Sequence, residues 1–446
     1  MAKARFSYTL DTLRAIAADV LARARAGGAT ACETEVSEGY GQTVTVRMGE
    51  VETIEHNRDK GIGVTVYVGK QKGYASTSDF SPKAVADTVD AALSIARFTA
   101  ADDAAGLAEP ELLAREIRDL DLFHPWDLPV ERAIDMARAA EAAAFRLDPR
   151  VTNSEGATVS AQQSQFIAAN SHGFMAGYPS SRHYVSVAVI AAEGDEMERD
   201  DWYSSARASG DLASPEAIGD YAGRRALARL RSRKLSTRRA PVLFEAPAAN
   251  GLLGHFVAAA SGGNLYRKAS FLVDALGTQV FAPLVGLRED PHRPRGLASA
   301  YFDDDGVATR PRDVVKDGVL QGYFLGVYSA RKLGMQTTGN AGGNHNLVLA
   351  PGPDDFIGLI RRMGTGLLVT ELMGQGVNTV TGDYSRGAAG YWVEGGEIAY
   401  PVSEITIAGN LREMFRNIVA VGNDTLVRGS RICGSILVDG LTIAGN

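Results

Sequence analysis

The sequence of 446 residues has few cysteines and no long uncharged apolar run. Its two cysteines, Cys32 and Cys433, lie too far apart to form a disulfide framework, so we expect a reducing compartment. No segment approaches the roughly 18 uncharged apolar residues that span a bilayer. Asp11, Arg14 and Asp19 interrupt the N-terminal apolar pattern, which indicates an amphipathic helix and excludes a signal peptide. A cytoplasmic protein is therefore expected.

The formal net charge of -7 is modest and argues against a dedicated nucleic-acid binder. One segment is an exception, because residues 224–239 contain eight lysines and arginines. No aromatic residues are interleaved there to stack on bases. We interpret this segment as a solvated helix end followed by a linker.

The first half of the chain shows one pattern twice, in which a helix, alternating strands and a second helix follow each other. Ser81 and Pro82 mark the start of one of these helices as cap and first residue. The pattern predicts an N-terminal α+β domain over residues 1–234, with two similar units at 1–105 and 125–234.

The second half is rich in glycine, with 32 of the 49 glycines in residues 235–446. Short β-like runs alternate there with glycine turns, and only 247–261 and 353–363 are typical of helices. This pattern predicts a mainly-β C-terminal domain, barrel-like or sandwich-like, over 235–446. The fold class expected for the whole chain is α+β.

Catalytic templates are scarce. No two of the seven histidines share a helix at i, i+4 spacing, so His-Glu-x-x-His is absent, as are the Gly-x-Ser-x-Gly elbow and the P-loop. Three residues remain weak catalytic candidates: His255 on a predicted helix, His345 in a glycine-rich loop, and Cys433. A structural role is the alternative for each. The acidic run from Asp303 to Gly306 could bind a cation, although a solvated turn is favoured.

Polar residues are concentrated between Gly364 and Ile398, where glycines surround them. A flexible backbone with polar side chains can form a binding cleft, and it can equally form a tight β-turn. The candidates for substrate binding in this segment are Glu371, Asp383, Tyr384, Ser385 and Arg386.

This segment, together with LLGHFVAAASGGNLYRKASFL, TGNAGGNHN and PVSEITIAGNL, resembles the TldD/PmbA metallopeptidase family, and most closely its PmbA (TldE) branch. The resemblance implies a cytosolic zinc metallopeptidase of two related subunits, TldD and TldE. Such a pair acts on unfolded or small peptides, including leader-peptide removal and antitoxin degradation. Older names in the PmbA branch refer to modulation of DNA gyrase or of a carbon-storage regulator.

The resemblance also suggests where a metal site would lie. The TldD branch carries His-Glu-x-x-x-His on a helix and a C-terminal cysteine. Those positions correspond here to Gly254, His255, Ala259 and Cys433. Glycine and alanine side chains cannot bind metal, so we expect no metal in this chain and zinc in a TldD-like partner. Arg267 and Lys268, just after the helix, are further cleft candidates.

Two alternatives remain open. The chain could be an independently active hydrolase, as a homodimer that uses His255, His345 or Cys433. It could also be a non-enzymatic peptide-binding regulator, for which the basic segment 224–239 is the sequence support.

Overall fold

The computed structural model describes residues 6–445, which form two compact units. The N-terminal unit comprises the chain up to Ala228 together with the segment Tyr301–Ala308. The C-terminal unit comprises Arg229–Ala300 and the chain from Thr309 onward. Within residues 6–445, no helix is long and apolar enough to cross a membrane.

From residue 6 onward, the N-terminal unit contains one antiparallel sheet and four α-helices. The helices are α1 (Leu10–Ala26), α2 (Pro82–Phe98), α3 (Val130–Phe145) and α4 (Pro215–Arg229), with a short 3-10 turn at Ser209–Asp211. The strands are β1 (Ala31–Arg47), β2 (Glu50–Val68), β3 (Gln71–Thr77), β4 (Val151–Asn170), β5 (Met175–Ala176), β6 (Pro179–Glu193) and β7 (Glu196–Ala206).

The strands of this unit lie in the order β3-β2-β1-β4-β6-β7, and β5 pairs with β4. Strand β1 pairs antiparallel with both β2 and β4, so both halves of the repeated sequence pattern belong to one sheet. The Ser81 hydroxyl accepts a hydrogen bond from the main-chain N of Ala84 at 3.3 Å, which confirms the predicted helix start. Apolar faces of α1 and α2, including Leu13, Val20 and Val89, are buried in one core with β1 and β2.

The C-terminal unit is mainly β. Its strands are β8 (Arg238–Phe244), β9 (Leu287–Glu289), β10 (Arg312–Lys316), β11 (Val319–Leu320), β12 (Leu347–Leu349), β13 (Gly366–Met373), β14 (Asp383–Glu394), β15 (Glu397–Asn410), β16 (Ile418–Val421), β17 (Leu426–Arg428), β18 (Arg431–Cys433) and β19 (Ile436–Ala444). Its helices are α5 (Ala246–Ala259), α6 (Gly262–Tyr266), α7 (Val327–Leu333), α8 (Phe356–Met363) and α9 (Leu411–Arg416).

These strands form two sheets. One has the order β11-β10-β9-β12-β18-β17, and the other has the order β15-β14-β13-β8-β19-β16. In the second sheet β15 also pairs with β19, which closes five strands into a barrel. The predicted α+β class with a barrel-like C-terminal part is therefore confirmed. The expectation of only two helices in this half was wrong, because α6, α7 and α9 are also helical.

Helix α5 is buried in the core of the C-terminal unit. Leu252, Leu253 and Phe256 are each at most 1% exposed, and the Phe256 ring lies 5.0 Å from that of Phe281. Pro247 stands in the first turn, where a missing main-chain N–H costs nothing. This burial fixes α5 against β18, and the two elements together carry the residues discussed next.

Candidate functional site

A guanidinium group fills the space beside Gly254 on α5. The Arg431 Nε, from β18, donates to Asn250 Oδ1 at 3.0 Å, one turn earlier on the helix. A Cβ placed on Gly254 would lie 3.0 Å from Arg431 Nη1. The side chain of Arg431 therefore occupies the volume that a larger residue at position 254 would need.

Cys433 follows Arg431 by two residues, and alternate residues of a strand point to the same side. Its thiol is fully buried and contacts the Ala246 carbonyl at 3.7 Å. Burial raises the pKa of Cys433 to about 12, so the thiol is protonated at neutral pH. A buried neutral thiol is neither a nucleophile nor a ready metal ligand.

These residues do not fit a catalytic zinc ion. Gly254 and the buried Ala259 have no side-chain atoms that could bind a metal, and the cationic guanidinium of Arg431 lies beside Gly254, the position that the resemblance matches to the first TldD histidine. A catalytic zinc needs about three protein ligands. Across residues 6–445, no group of three or more His, Cys, Asp or Glu side chains is arranged to hold a metal ion.

His255 lies next to this position on α5 and is half-buried. Burial first, and then the positive charges of Arg386 and Arg431, lower the pKa of His255 to about 4. The imidazole is therefore neutral at pH 7. Its ring packs edge-on against Tyr384, with 5.9 Å between the ring centroids.

Tyr384 and Arg386 project from the same side of β14. Tyr384 is 2% exposed, and its hydroxyl has no hydrogen-bond partner among residues 6–445. Burial raises the pKa of Tyr384 to about 12, although the nearby Arg386 acts in the opposite direction. Arg386 donates from Nε to the Met373 carbonyl at 3.0 Å and from Nη2 to the Leu372 carbonyl at 3.2 Å. We refer to His255, Tyr384, Arg386 and Arg431 as the His255 cluster.

The remaining substrate-binding candidates between Gly364 and Ile398 are Glu371, Asp383 and Ser385. Glu371 forms an ion pair with Arg229. Asp383 is exposed and accepts hydrogen bonds from Thr381 Oγ1 at 2.6 Å and Asn410 Nδ2 at 3.1 Å, which lower its pKa. Ser385 is exposed.

Arg267 and Lys268 are exposed at the end of α6. The Arg267 guanidinium lies 5.2 Å from the ring centroid of its neighbour Tyr266. These two candidates follow α6, whereas the residues of the His255 cluster lie on α5, β14 and β18.

His345 lies in a polar network around the buried carboxylate of Glu289. Its ring nitrogens lie 3.3 Å from the Ala298 carbonyl and 3.0 Å from the Gly339 carbonyl. Its main-chain N donates to Glu289 at 2.6 Å, and Glu289 is 1% exposed. Arg312 Nε also donates to Glu289, at 2.8 Å. We assign His345 a structural role in holding its loop.

The basic segment 224–239 makes contacts that use most of its positive charges. Acidic partners are provided by Asp220, Asp200, Glu371 and Glu404, and aromatic partners by Tyr400 and Trp392. A surface that binds nucleic acid needs basic side chains free to reach phosphates. The segment therefore offers little support for such a role.

An acidic cavity of about 850 Å³ lies in the N-terminal unit. Its lining includes Glu33, Glu35, Asp304 and Asp305. Glu35 is exposed, but the surrounding protein removes part of its hydration; this partial desolvation, followed by the charge of Asp304, raises its pKa. The turn at Asp303 is closed by its own side chain, which accepts from the main-chain N of Asp305 at 3.0 Å. The acidic run thus forms a turn at the cavity wall.

Comparison with known proteins identifies the class. Residues 32–96, 123–230 and 237–445 match, in order, domain 1, the central domain and the C-terminal domain of the PmbA/TldA metallopeptidases. The chain therefore belongs to this metallopeptidase family. Within it, the chain belongs to the PmbA branch, because it is 52% identical over 419 residues to Metalloprotease PmbA of Escherichia coli O157:H7. That match covers 94% of this chain and 93% of the relative.

Solved structures share the fold. A proposed modulator of DNA gyrase from Bacteroides thetaiotaomicron superposes with a TM-score of 0.93 at 26% identity, over 98% of this chain and 100% of that one. TldE from Thermococcus kodakarensis superposes with a TM-score of 0.84 at 20% identity, over 96% of this chain and 100% of that one. At this identity, the second likeness concerns the fold alone.

Proposed function

We propose that this chain is the subunit without a metal site in a TldD/TldE-type zinc metallopeptidase that acts on unfolded or small peptides. The observation that carries the proposal is the Arg431 guanidinium over Gly254. It lies where a metal ligand projects in a TldD-type motif, and it brings a positive charge to that place. Membership of the metallopeptidase family supports the reaction class.

On this proposal, zinc and the catalytic base are in a TldD-like partner, and this chain completes the assembly and its cleft. The two free, buried cysteines support a reducing cytoplasmic location. Peptide leaders and antitoxins are the substrates that the family resemblance suggests.

The test is reconstitution. We would purify the chain alone, determine zinc by elemental analysis, and then add a TldD-like partner and follow complex mass and cleavage of an unstructured peptide. We expect far less than one zinc per chain, no cleavage by either subunit alone, and cleavage by the mixture. The chain alone, the partner alone and the mixture with a zinc chelator are the controls.

The competing hypothesis is an independently active peptidase. Stoichiometric zinc in the isolated chain, together with cleavage that a chelator abolishes, would refute the proposed subunit role. Cleavage without zinc that is lost in Cys433→Ala would refute it as well, in favour of a thiol nucleophile. The buried protonated thiol argues against that result.

A further inference from the structure

The His255 cluster contains positive charge that the protein does not neutralise. Arg431 donates to an amide oxygen of Asn250, and Arg386 donates to two main-chain carbonyls. Within residues 6–445, neither guanidinium forms a salt bridge with a carboxylate. Half-buried charges are normally paired, because removing them from water is costly. Two guanidinium groups without carboxylate partners, both close to His255, favour the binding of an anionic ligand.

The unused hydrogen-bonding groups of the cluster are donors. The Nε of Arg431 is engaged, which leaves Nη1 and Nη2 for a second partner. The Tyr384 hydroxyl is buried and has no hydrogen-bond partner in the described part of the chain, and a phenol with a pKa of about 12 keeps its proton at neutral pH. Buried polar groups rarely lack a partner, so an orphan phenol requires an explanation. A ligand with acceptor oxygens provides one.

The cluster is also held in a fixed arrangement. His255 lies on α5, Tyr384 and Arg386 lie on β14, and Arg431 lies on β18. Each backbone position therefore belongs to regular structure in the C-terminal unit, which holds the side chains in place, and a ligand reaches the Tyr384 hydroxyl only if neighbouring side chains move. His255, Arg386 and Arg431 keep part of their surface exposed, so a ligand can reach them.

We propose that Arg431 and Arg386, together with Tyr384 and His255, form a binding site for a peptide carboxylate. A carboxylate presents two oxygens in the plane that suits a guanidinium fork, and such charge-assisted bonds are among the strongest in proteins. The choice of a peptide as the carrier rests on the proposed function. Its carboxylate is the chain terminus or an acidic side chain, and the experiment separates these two sources.

The test measures binding to the isolated chain, without a partner subunit. Three unstructured, fluorescently labelled peptides of one length are compared by anisotropy. The first has a free C-terminal carboxylate and no acidic side chain, the second is its C-terminal amide, and the third is the amide with one internal glutamate. We expect the free acid to bind at least about tenfold more tightly than the amide, as for a lost charge-assisted hydrogen bond.

The relative affinities of the three peptides identify which carboxylate the site binds. Tight binding of the glutamate peptide as well would extend the site to acidic side chains. Equal binding of all three peptides would overturn the proposal, as would displacement by inorganic phosphate but not by acetate. Because the assay uses one subunit and no zinc, its failure would leave the metal and reconstitution results unaffected.

Variants assign the effect to the cluster. Arg431→Gln and Tyr384→Phe should each reduce the preference for the free acid by several-fold or more, whereas the matched control Arg288→Gln should not. Arg288 is an exposed arginine that pairs with Asp313 at 2.9 Å, so its replacement makes the same charge change elsewhere in the unit. Thermal unfolding of each variant checks the fold, and Tyr384→Phe retains the aromatic ring if Arg431→Gln does not fold.

A second measurement separates ligand binding from a purely structural role. The proton resonances of His255 report its titration, and a bound carboxylate should raise its pKa from about 4 towards the ordinary value of 6.5. The free acid should produce this shift and the amide should not. An unchanged titration with saturating free acid would place the binding elsewhere and overturn the site.

Discussion

The contact between Gly254 and Arg431 can be tested with two alanine substitutions in one helix. Gly251 and Gly254 both lie within α5, but they differ in surroundings. A Cβ on Gly251 would meet nothing within 4 Å, whereas a Cβ on Gly254 would lie 3.0 Å from Arg431 Nη1 and 3.3 Å from its Cζ. The pair therefore compares the same chemical change in open space and against the guanidinium.

The expected magnitudes follow from the two environments. In a helix interior alanine is more favourable than glycine by about 1 kcal/mol, so Gly251→Ala should stabilise the protein by about that amount. In Gly254→Ala the guanidinium must retreat by a few tenths of an ångström, which strains its bond to Asn250. Loss of that bond costs about 1 kcal/mol, so the net change should be close to zero.

The assay is thermal and denaturant unfolding of the two variants beside the parent protein. A difference of about 1 kcal/mol corresponds to roughly 2–4 °C in the midpoint for a domain of 150–250 residues. Peptide binding should also weaken in Gly254→Ala and not in Gly251→Ala, because only the first displaces Arg431. If both variants were stabilised equally and bound the peptide with equal affinity, the guanidinium of Arg431 would not be held over Gly254.

Three further predictions concern titration and reactivity. The pKa of His255 is about 4 in the folded protein and 6.5 in the unfolded chain, so on acidification the unfolded chain takes up the proton at a higher pH. The free energy of unfolding should therefore decrease as the pH falls from about 6.5 to about 4. After allowance for the partial exposure of the imidazole, this decrease is up to about 2 kcal/mol. Acid-unfolding curves of His255→Asn should lack this pH-dependent decrease. Cys32 and Cys433, buried and each with a pKa raised to about 12, should not react with a thiol reagent until the protein is unfolded; rapid labelling of the native chain would contradict their burial. The raised pKa of the exposed Glu35 means that its charge opposes folding weakly at neutral pH. Glu35→Gln should therefore raise the unfolding midpoint slightly at pH 7 and less at pH 4, and no gain at pH 7 would contradict repulsion between Glu35 and Asp304.

Much of the fold could be predicted because it depends on local patterns. Ser81 and Pro82 specify a helix start through hydroxyl capping and a fixed φ angle, and the structure places α2 there. Short strands between glycine turns predict a barrel-like or sandwich-like domain, and the pairing of β15 with β19 closes a barrel. The short helices α6, α7 and α9 have at most seven residues, too few for a 3.6-residue period to be recognised.

Strand pairing could not be predicted in the same way, because it depends on contacts between residues distant in sequence. The twofold pattern of the first half suggests two similar units, but β1 pairs with β4 from the second repeat over Glu33 to Val46, and the strands form one sheet. Nothing in the alternation of either strand specifies that partner.

The candidate site shows a similar division. Tyr384, Arg386 and His255 were selected from their glycine-rich surroundings and from the helix motif, and the structure brings these three together. Arg431 was missed, since its contact with Asn250 joins residues 181 positions apart. One signal was present, because Arg431 stands two residues before Cys433 on a strand and so points to the same side.

The position of the Arg431 guanidinium depends on the absence of a side chain at Gly254. A side chain larger than alanine at position 254 would need volume that the guanidinium of Arg431 occupies. A histidine at this position would displace the arginine, and the arginine in turn excludes both the imidazole and a cation that it would bind. On the correspondence with a TldD-type helix, this place lacks ligand atoms and also carries a positive charge with the donor groups Nη1 and Nη2 of Arg431. Such a surface repels a metal ion and attracts the acceptor oxygens of a peptide.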